Sequence, residues 1–222
     1  MKQNAVVIVD GIGAARFFSQ QLHSRGIPCI HVRSHLMPNS AFDQGAYLAC
    51  YEEKNSVKTL LESISKEYEI PAVIAGLESG VDLAHFLAQE LNLKRNSDHL
   101  VSARRNKYDM IEAVRGSGLA VAAHYKSTSL NNILSWARSH NQFPVVVKPL
   151  NSAGSDNVHI CQTMADIESA FNLITSSKTM FGERTKGVLI QEYLSGDEFV
   201  VNLVSCNGQH HFRNRLKCIA PR

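Results

Sequence analysis

Short β-branched runs alternating with helical stripes occupy the first 96 residues, and this alternation restricts the fold more than any other feature of the chain. "AVVIV", "PCIHV" and "AVIAG" read as strands rich in Val and Ile. After the first, Ala14, Phe17, Phe18 and Leu22 fall at helical spacing and make a core-facing stripe. Val57, Leu60, Leu61, Ile64 and Tyr68 make a second stripe, and Val81, Ala84, Ala88 and Leu91 line a third helix. Strands joined through helices lie parallel, so residues 1–96 are expected to form a parallel sheet covered by helices.

Two features of that region bear on ligands. The turn "DGIGAAR" begins like a dinucleotide fingerprint, but Arg16 stands where a third glycine or alanine belongs, and the second strand ends in Arg33 rather than an acid. A tight strand-to-helix turn at Gly11 and Gly13 is the preferred reading; a small anion at the helix N-terminus is the alternative. In "GLESGVDLAHFLAQ", Glu78 follows the third strand and precedes a helix. The carboxyl ends of parallel strands favour ligands, while a carboxylate at a helix start is also favoured by the macrodipole. Both readings of Glu78 stand.

Residues 97–120 read as a connecting segment whose helix runs through Met110, Ile111 and Val114 and ends at Gly116 and Gly118. Beyond it, "VAAHY", "PVVVK", "NVHIC" and "GVLIQE" are expected to pair in one small sheet. Helical stripes of Leu130, Ile133, Leu134 and Ala137, and of Met164, Ile167, Ala170, Phe171 and Ile174, should pack on it, with Thr163 as an N-cap. "TSSKTMFGERTKG" has weak periodicity and reads as a mobile loop.

The chemistry concentrates between Pro144 and Val204. Val145, Val146 and Val147 form a strand, and Pro149 removes a donor where the ladder must stop, so Lys148 sits at a strand end with its ammonium able to reach an anion. The following loop, Asn151, Ser152, Ala153, Gly154 and Ser155, lacks bulk, so its backbone N–H groups can turn inward around phosphate oxygens, and the Ser152 and Ser155 hydroxyls can add donors. This is not the usual P-loop, because the lysine precedes the loop. In "VLIQEYL", Gln191, Glu192, Tyr193 and Leu194 could offer backbone amides to a purine edge and apolar surface to its face. Past a break at Ser195 and Gly196, Glu198 and Asn202 should share one face of the next strand, with Phe199, Val201 and Leu203 on the other. A carboxylate at Glu198 could accept hydrogen bonds from ribose hydroxyls.

With these residues in this order, the chain resembles the ATP-grasp superfamily of carboxylate-amine ligases, which includes D-alanine:D-alanine ligase, biotin carboxylase and L-amino-acid ligases. The likeness is collinear from about Asn106 to about Asn207. It implies that Lys148 contacts the α- and β-phosphates of ATP, that the loop from Ser152 to Ser155 closes over them, that residues 191–194 form the adenine hinge and that Glu198 holds the ribose. The earlier lysine such proteins use corresponds to Lys107 in "RRNKYDMIEAV". The first hinge position is commonly glutamate in the family and is Gln191 here. In fold terms the resemblance implies a Rossmann-like pre-ATP-grasp domain over 1–96, a connecting helical segment over 97–120, an ATP-grasp lid over 121–192 and the start of a larger C-terminal ATP-grasp sheet over 193–222.

The implied reaction is phosphorylation of a substrate carboxylate to an acylphosphate, then displacement of phosphate by an amine. Amino acids are the expected substrates, with Glu78 as a contact for an amino or amide group. A carboxylase or carbamoyl-phosphate-type enzyme, or a nucleotide-binding module without turnover, is the alternative; an oxidoreductase using the Gly11 turn is a weaker one. No Glu or Asp follows Glu198, so Mg²⁺ ligands and catalytic residues are expected beyond Arg222, as in the front part of a longer protein.

Composition agrees with an enzyme piece. Hydrophobic residues make up 44% of the 222, enough for a substantial core. A net charge of +3, without a long basic block, argues against nucleic acid. The N-terminal apolar run is too short for a signal-peptide core and no span approaches membrane length, so the cytoplasm is the expected location. Cys29, Cys50, Cys161, Cys206 and Cys218 lack a CxxC pair and read as reduced, mostly buried thiols; neither they nor the histidines have metal-ligand spacing. An unpaired strand edge near Val200 to Ser205 would favour a homo-oligomer or pairing with a further segment.

Overall fold

The computed structural model describes residues 2–37, 44–54 and 56–217. Its front part runs β1 (Gln3–Asn4), β2 (Val6–Val9), α1 (Arg16–His23), β3 (Cys29–Arg33), β4 (Cys50–Glu52), α2 (Val57–Glu67), β5 (Tyr68–Glu69), β6 (Val73–Ala75) and α3 (Val81–Glu90). Strands β4, β3, β2 and β6 lie in that order in one parallel sheet, while β1 pairs separately with β5. Every residue of β2 is buried, as a central strand covered on both faces must be. Val7, Val9, Ile30 and Val32 pack with Leu60, Ile64, Leu83 and Leu87 of the helices.

The expected parallel sheet is therefore present, with two departures. Strand β4 is a three-residue edge strand, too short to show a period. Phe17 and Phe18 are 56% and 48% exposed, and Ser19 is the buried residue of α1, its hydroxyl donating to Arg16 O at 2.8 Å. A 3₁₀ turn over Gly13–Ala15 precedes the helix, and its tighter winding shifts the phase that a single α-helical reading would assign. Leu22 does face inward, against Val6, Ile8 and Cys29; the Ala14 side chain lies outside the described residues.

The glycine turn is a packing turn. Tyr47 donates its hydroxyl to Gly11 O at 2.8 Å, and a Cβ on Gly11 would lie 2.2 Å from that hydroxyl oxygen. The space beside Gly11 is filled by Tyr47.

The next part holds α4 (Lys107–Gly116), β7 (His124–Ser127), α5 (Leu130–His140), β8 (Val145–Pro149), β9 (His159–Cys161), α6 (Met164–Ser176) and β10 (Val188–Glu192). The four strands form an antiparallel sheet ordered β7, β10, β8, β9. Val145, Val147, Val188 and Ile190 point to one face, where Ile133, Ala137, Ile167, Ala170, Phe171 and Ile174 close the core. Thr163 caps α6 in a capping box with Asp166. Strand β7 starts at His124 instead of Val121, although Ala123 still bonds Glu192 through Glu192 N–H to Ala123 O at 2.8 Å. The segment read as a mobile loop folds back on itself: Lys178 and Arg184 form an antiparallel bridge, and Thr179 N–H donates to Glu183 O at 2.7 Å.

The chain divides into two compact units, Met1–Glu192 and Tyr193–Arg222. The second is a hairpin of β11 (Phe199–Cys206) and β12 (Gln209–Lys217), turned by Asn207 and Gly208, both at positive φ as a two-residue hairpin turn requires. Val200 to Ser205 pair with β12 along one side, and in this two-stranded sheet β11 remains an edge strand on its other side among the described residues. Glu198 stands just before β11, and the register along Phe199–Asn202 is regular, the one shift coming between Asn202 and Leu203 with its extra residue in β12.

Cys29 and Cys161 are buried and Cys50 and Cys206 exposed, all as free thiols, so burial applies to half of those described; Cys218 lies outside the described residues. Among the described residues no helix is long and apolar enough to cross a membrane.

Candidate functional site

Alternation along β8 decides where Lys148 points. Val145, Val147 and Pro149 are buried against the helices, which leaves Val146 and Lys148 on the opposite face of the sheet. Cross-strand partners share a face: Leu189 stands opposite Lys148, and Gln191 and Ile160 stand opposite Val146. Ile160 is 56% exposed, so this face presents apolar surface beside a lysine.

Helix α4 adjoins the same sheet. The His124 ring bonds Glu112 at 2.7 Å, and Lys126 pairs with Asp109 at 3.2 Å. Asn106 caps the helix by accepting from Tyr108 N–H and Asp109 N–H. Lys107 opens it: its backbone N–H donates to Leu150 O at 2.9 Å, and its ammonium donates to Ser152 O at 2.6 Å. Two lysines far apart in sequence therefore meet at one loop. Burial pushes the Lys148 ammonium below the usual lysine pKa, and the charge of Lys107 lowers it further. Burial likewise lowers Lys107, with Glu78 and Asp156 opposing and Arg105 adding to the shift. Two half-buried cations, one of them lowered further by the other, favour an anion beside them.

The loop between them has the backbone for one. Gly154 and Ser155 are both left-handed, at φ +62° and +59°, as is Asn157 at +54°. Successive residues in such conformations direct N–H groups into a concavity. Ser152, however, is buried and its hydroxyl is already committed, donating to Asp156 Oδ2 at 2.6 Å. The same oxygen accepts Met180 N–H at 2.8 Å, and Asn157 Nδ2 donates to Oδ1 at 2.9 Å. Ser155 remains exposed, so of the two expected hydroxyl donors only this one is unspent among the described residues. Ala153 is half-buried between them.

Of the proposed hinge residues, Gln191 and Glu192 close β10, and the Glu192 carboxylate accepts Ala123 N–H at 2.9 Å, which ties it into the sheet. Tyr193 and Leu194 are exposed and open the second unit, where Glu198 is also exposed. Glu78 begins a 3₁₀ turn ahead of α3, and its Oε1 lies 3.6 Å from Arg105 Nε.

Three residues were missed on sequence grounds. Asp156 organises the loop, Arg105 gathers Glu78 and Asp82, and Asp10 is fully buried, accepting from Ser34 N–H at 2.8 Å and from the Ser34 and Ser79 hydroxyls at 2.6 Å each. Ile160 was visible as alternation in "NVHIC" but was not assigned a face.

Residues 141–218 match the model of the ATP-grasp domain family. Dapdiamide A synthase of Enterobacter agglomerans is 33% identical over 216 residues, an alignment covering 95% of this chain and 51% of that protein. Among solved structures, the L-amino acid ligase from Bacillus licheniformis superposes with a TM-score of 0.72 at 16% identity, over 98% of this chain and 51% of that one. An ADP complex of N5-carboxyaminoimidazole ribonucleotide synthetase superposes at 0.76 with 12% identity, over 100% of this chain and 55% of that one. At such identities the two structures establish likeness of fold. The chain spans about half the length of each of these proteins.

Proposed function

The chain belongs to the ATP-grasp superfamily, and from that premise we propose that it is the ATP-binding part of a carboxylate-amine ligase acting on amino acids. One observation carries the reading: Lys107 and Lys148 converge on a loop with left-handed Gly154 and Ser155, and burial depresses both ammonium groups even though Glu78 and Asp156 act on Lys107 in the opposite direction. A polyphosphate would favour the charged form of both lysines and oppose the effect of burial.

In this reading residues 1–96 are the pre-ATP-grasp domain, 97–120 a connecting segment, 121–192 the lid and 193–222 the start of the C-terminal ATP-grasp subdomain. Lys148 and Lys107 neutralise phosphate oxygens, and the N–H groups of Ala153, Gly154 and Ser155 cradle them. Val146 and Ile160 offer apolar surface to the purine, the backbone of Gln191, Glu192, Tyr193 and Leu194 meets its edge, and Glu198 accepts from the ribose. Glu78 is the proposed contact for an amino group. ATP supplies the phosphoryl group that activates a substrate carboxylate for attack by an amine. What these residues contribute is position and charge, the main terms in phosphoryl transfer. Among the described residues no group of three His, Cys, Asp or Glu side chains is placed to hold a metal ion, so no step is assigned to Mg²⁺ here. The name of the L-amino acid ligase favours amino-acid substrates, and that of the N5-carboxyaminoimidazole ribonucleotide synthetase favours the carboxylase alternative.

Calorimetric titration of Lys148→Met with ATP and with adenosine tests the reading. The variant keeps the aliphatic stem and removes a charge-assisted contact worth about 2 kcal/mol, so ATP should weaken roughly thirtyfold while adenosine stays within about twofold. Equal losses for both ligands would sink it.

A further inference from the structure

The ring of His85 on α3 sits inside a set of charges that tie this helix to the segment leading into α4. Its side chain is only 3% exposed. Arg104 Nη1 lies 2.8 Å from its Nδ1. A guanidinium can only donate, so Nδ1 accepts, and the ring is the neutral tautomer with its proton on Nε2. Nε2 is 3.3 Å from Asp98 Oδ1 without forming a hydrogen bond, and the Asp98 carboxylate accepts from Arg95 Nε and Nη2 at 2.8 Å each. Arg104 also donates from Nη2 to Ser97 O at 2.6 Å. One turn earlier on α3, Asp82 accepts from Arg105 Nη1 at 3.0 Å. The helix therefore grips two consecutive arginines, and just beyond them Lys107 donates to Leu150 O and Ser152 O. Burial pushes the His85 pKa below the ordinary 6.5 and Arg104 pushes it further, with Asp98 and Asp82 opposing and Arg95 adding. Strand β6 brings Val73 and Ala75 to the same place, and neither carries a charge.

We propose that neutral His85 is a positioning residue for Lys107: by accepting from Arg104 it holds residues 97–106 in the path that delivers Lys107 to the loop at Ser152, and gain of a proton releases that path. The inference rests on the nucleotide reading for what Lys107 binds, and on the cluster alone for how Lys107 is held. A protonated ring carries N–H on both nitrogens, so Nδ1 no longer accepts and two cations face each other where a hydrogen bond stood. Asp98 is placed to take the new charge. Arg104 has room to leave, since with Lys94 and Arg95 it lines a cavity of about 350 Å³. Because the folded ring binds its proton more weakly than the unfolded chain does, the stability it supports is full above pH 6.5 and is lost as the pH falls towards the folded pKa. Acid leaves Lys107 and Lys148 charged, so a loosening on acidification has the opposite sign to anything the lysines themselves would cause.

The test is amide hydrogen exchange of the 222-residue chain at about pH 8 and about pH 5, each rate taken relative to the intrinsic rate at that pH, in the parent, His85→Asn and His85→Leu. Asparagine keeps an acceptor near the place of Nδ1 and does not titrate, whereas leucine offers none. In the parent, the hydrogen-bonded amides of Leu100, Arg104, Arg105, Asn106 and Lys107 should lose about tenfold in protection in acid. His85→Asn should keep the parent's higher protection at both pH values, and His85→Leu should show the lower level at both. ATP is titrated in parallel, and the affinity of the parent relative to His85→Asn should fall from about one at pH 8 to about one third at pH 5, a ratio that cancels the nucleotide's own protonation. Nitrogen NMR shifts of the ring should place its proton on Nε2 at the higher pH and show the second proton arriving in the range where protection is lost. A proton on Nδ1 at the higher pH, an equal loss of protection in the parent and His85→Asn, or an ATP ratio that stays at one while ATP binds would overturn the proposal. Should His85→Leu prove unfolded, His85→Asn decides, and should both, the coincidence of ring protonation with loss of protection in the parent decides. Failure of the parent to bind ATP at either pH counts against the nucleotide reading, and protection of the Lys107 amide then decides this proposal by itself.

Discussion

The strand ends of the two four-stranded sheets in the first unit treat their polar groups in opposite ways. At the end of β2 the buried Asp10 is saturated, taking hydrogen bonds from Ser34 and Ser79, and the space beside Gly11 is plugged by Tyr47. At the end of β8 the Lys148 ammonium donates no hydrogen bond among the described residues, lies beside a second cation and faces a loop of left-handed residues. One strand end spends its polarity on the fold, and the other holds it in reserve. What separates a structural turn from a ligand turn is whether the protein's own groups already satisfy it. Glycine content alone does not separate them, since both turns contain glycine.

That contrast can be broken experimentally. The largest effect is expected from Asp10→Ala, which strands one N–H and two hydroxyls in a buried site and should cost about 3 kcal/mol of stability in urea unfolding. Nucleotide affinity of the folded fraction should be unchanged; a loss of ATP binding with little loss of stability would reverse the assignment of roles. Asp156→Ala comes next. It removes the acceptor of both Ser152 and Met180, so the loop at 151–157 and the turn at 178–184 should exchange amide hydrogens faster, by about 1 kcal/mol in local opening free energy. Unchanged protection in both segments would show that the carboxylate is dispensable to the loop.

A smaller effect concerns pH. A lysine whose folded pKa is depressed binds its proton more weakly when folded than when unfolded, so the penalty is full below the folded pKa and fades as pH rises to the ordinary 10.5. Without nucleotide, Lys148→Met should therefore melt higher than the parent at neutral pH, and the difference should shrink as pH approaches 10.5. A difference independent of pH would mean that Lys148 is not held against its charge. The smallest effect is Phe17→Ser, which should stay within about 0.5 kcal/mol because the ring faces solvent. A loss several times larger would restore Phe17 to the core stripe its spacing alone assigns.

Legibility in the sequence followed the range of the interactions. The parallel sheet, the small antiparallel sheet and the Thr163 cap were readable because period, β-branching and capping residues act within a few positions. Lys148 at the end of β8 was readable for the same reason. The phase of α1 was not, because a 3₁₀ turn before it changes the winding without a residue that announces the change. Nor were Asp156 and Arg105: their partners at Met180, Asp82 and Glu78 come from other elements, and a carboxylate or guanidinium in a polar stretch looks the same whether it is solvated or buried. The spent hydroxyl of Ser152 belongs to this class too, since its acceptor is chosen by the loop's folded path.

Asp156 Oδ2 receives the Ser152 hydroxyl and the Met180 N–H at once, across the whole length of α6. With one oxygen serving both, the two stretches are not independent parts. A departure of either leaves the other's donor on an atom whose geometry was set for two, so opening of one stretch is expected to favour opening of the other.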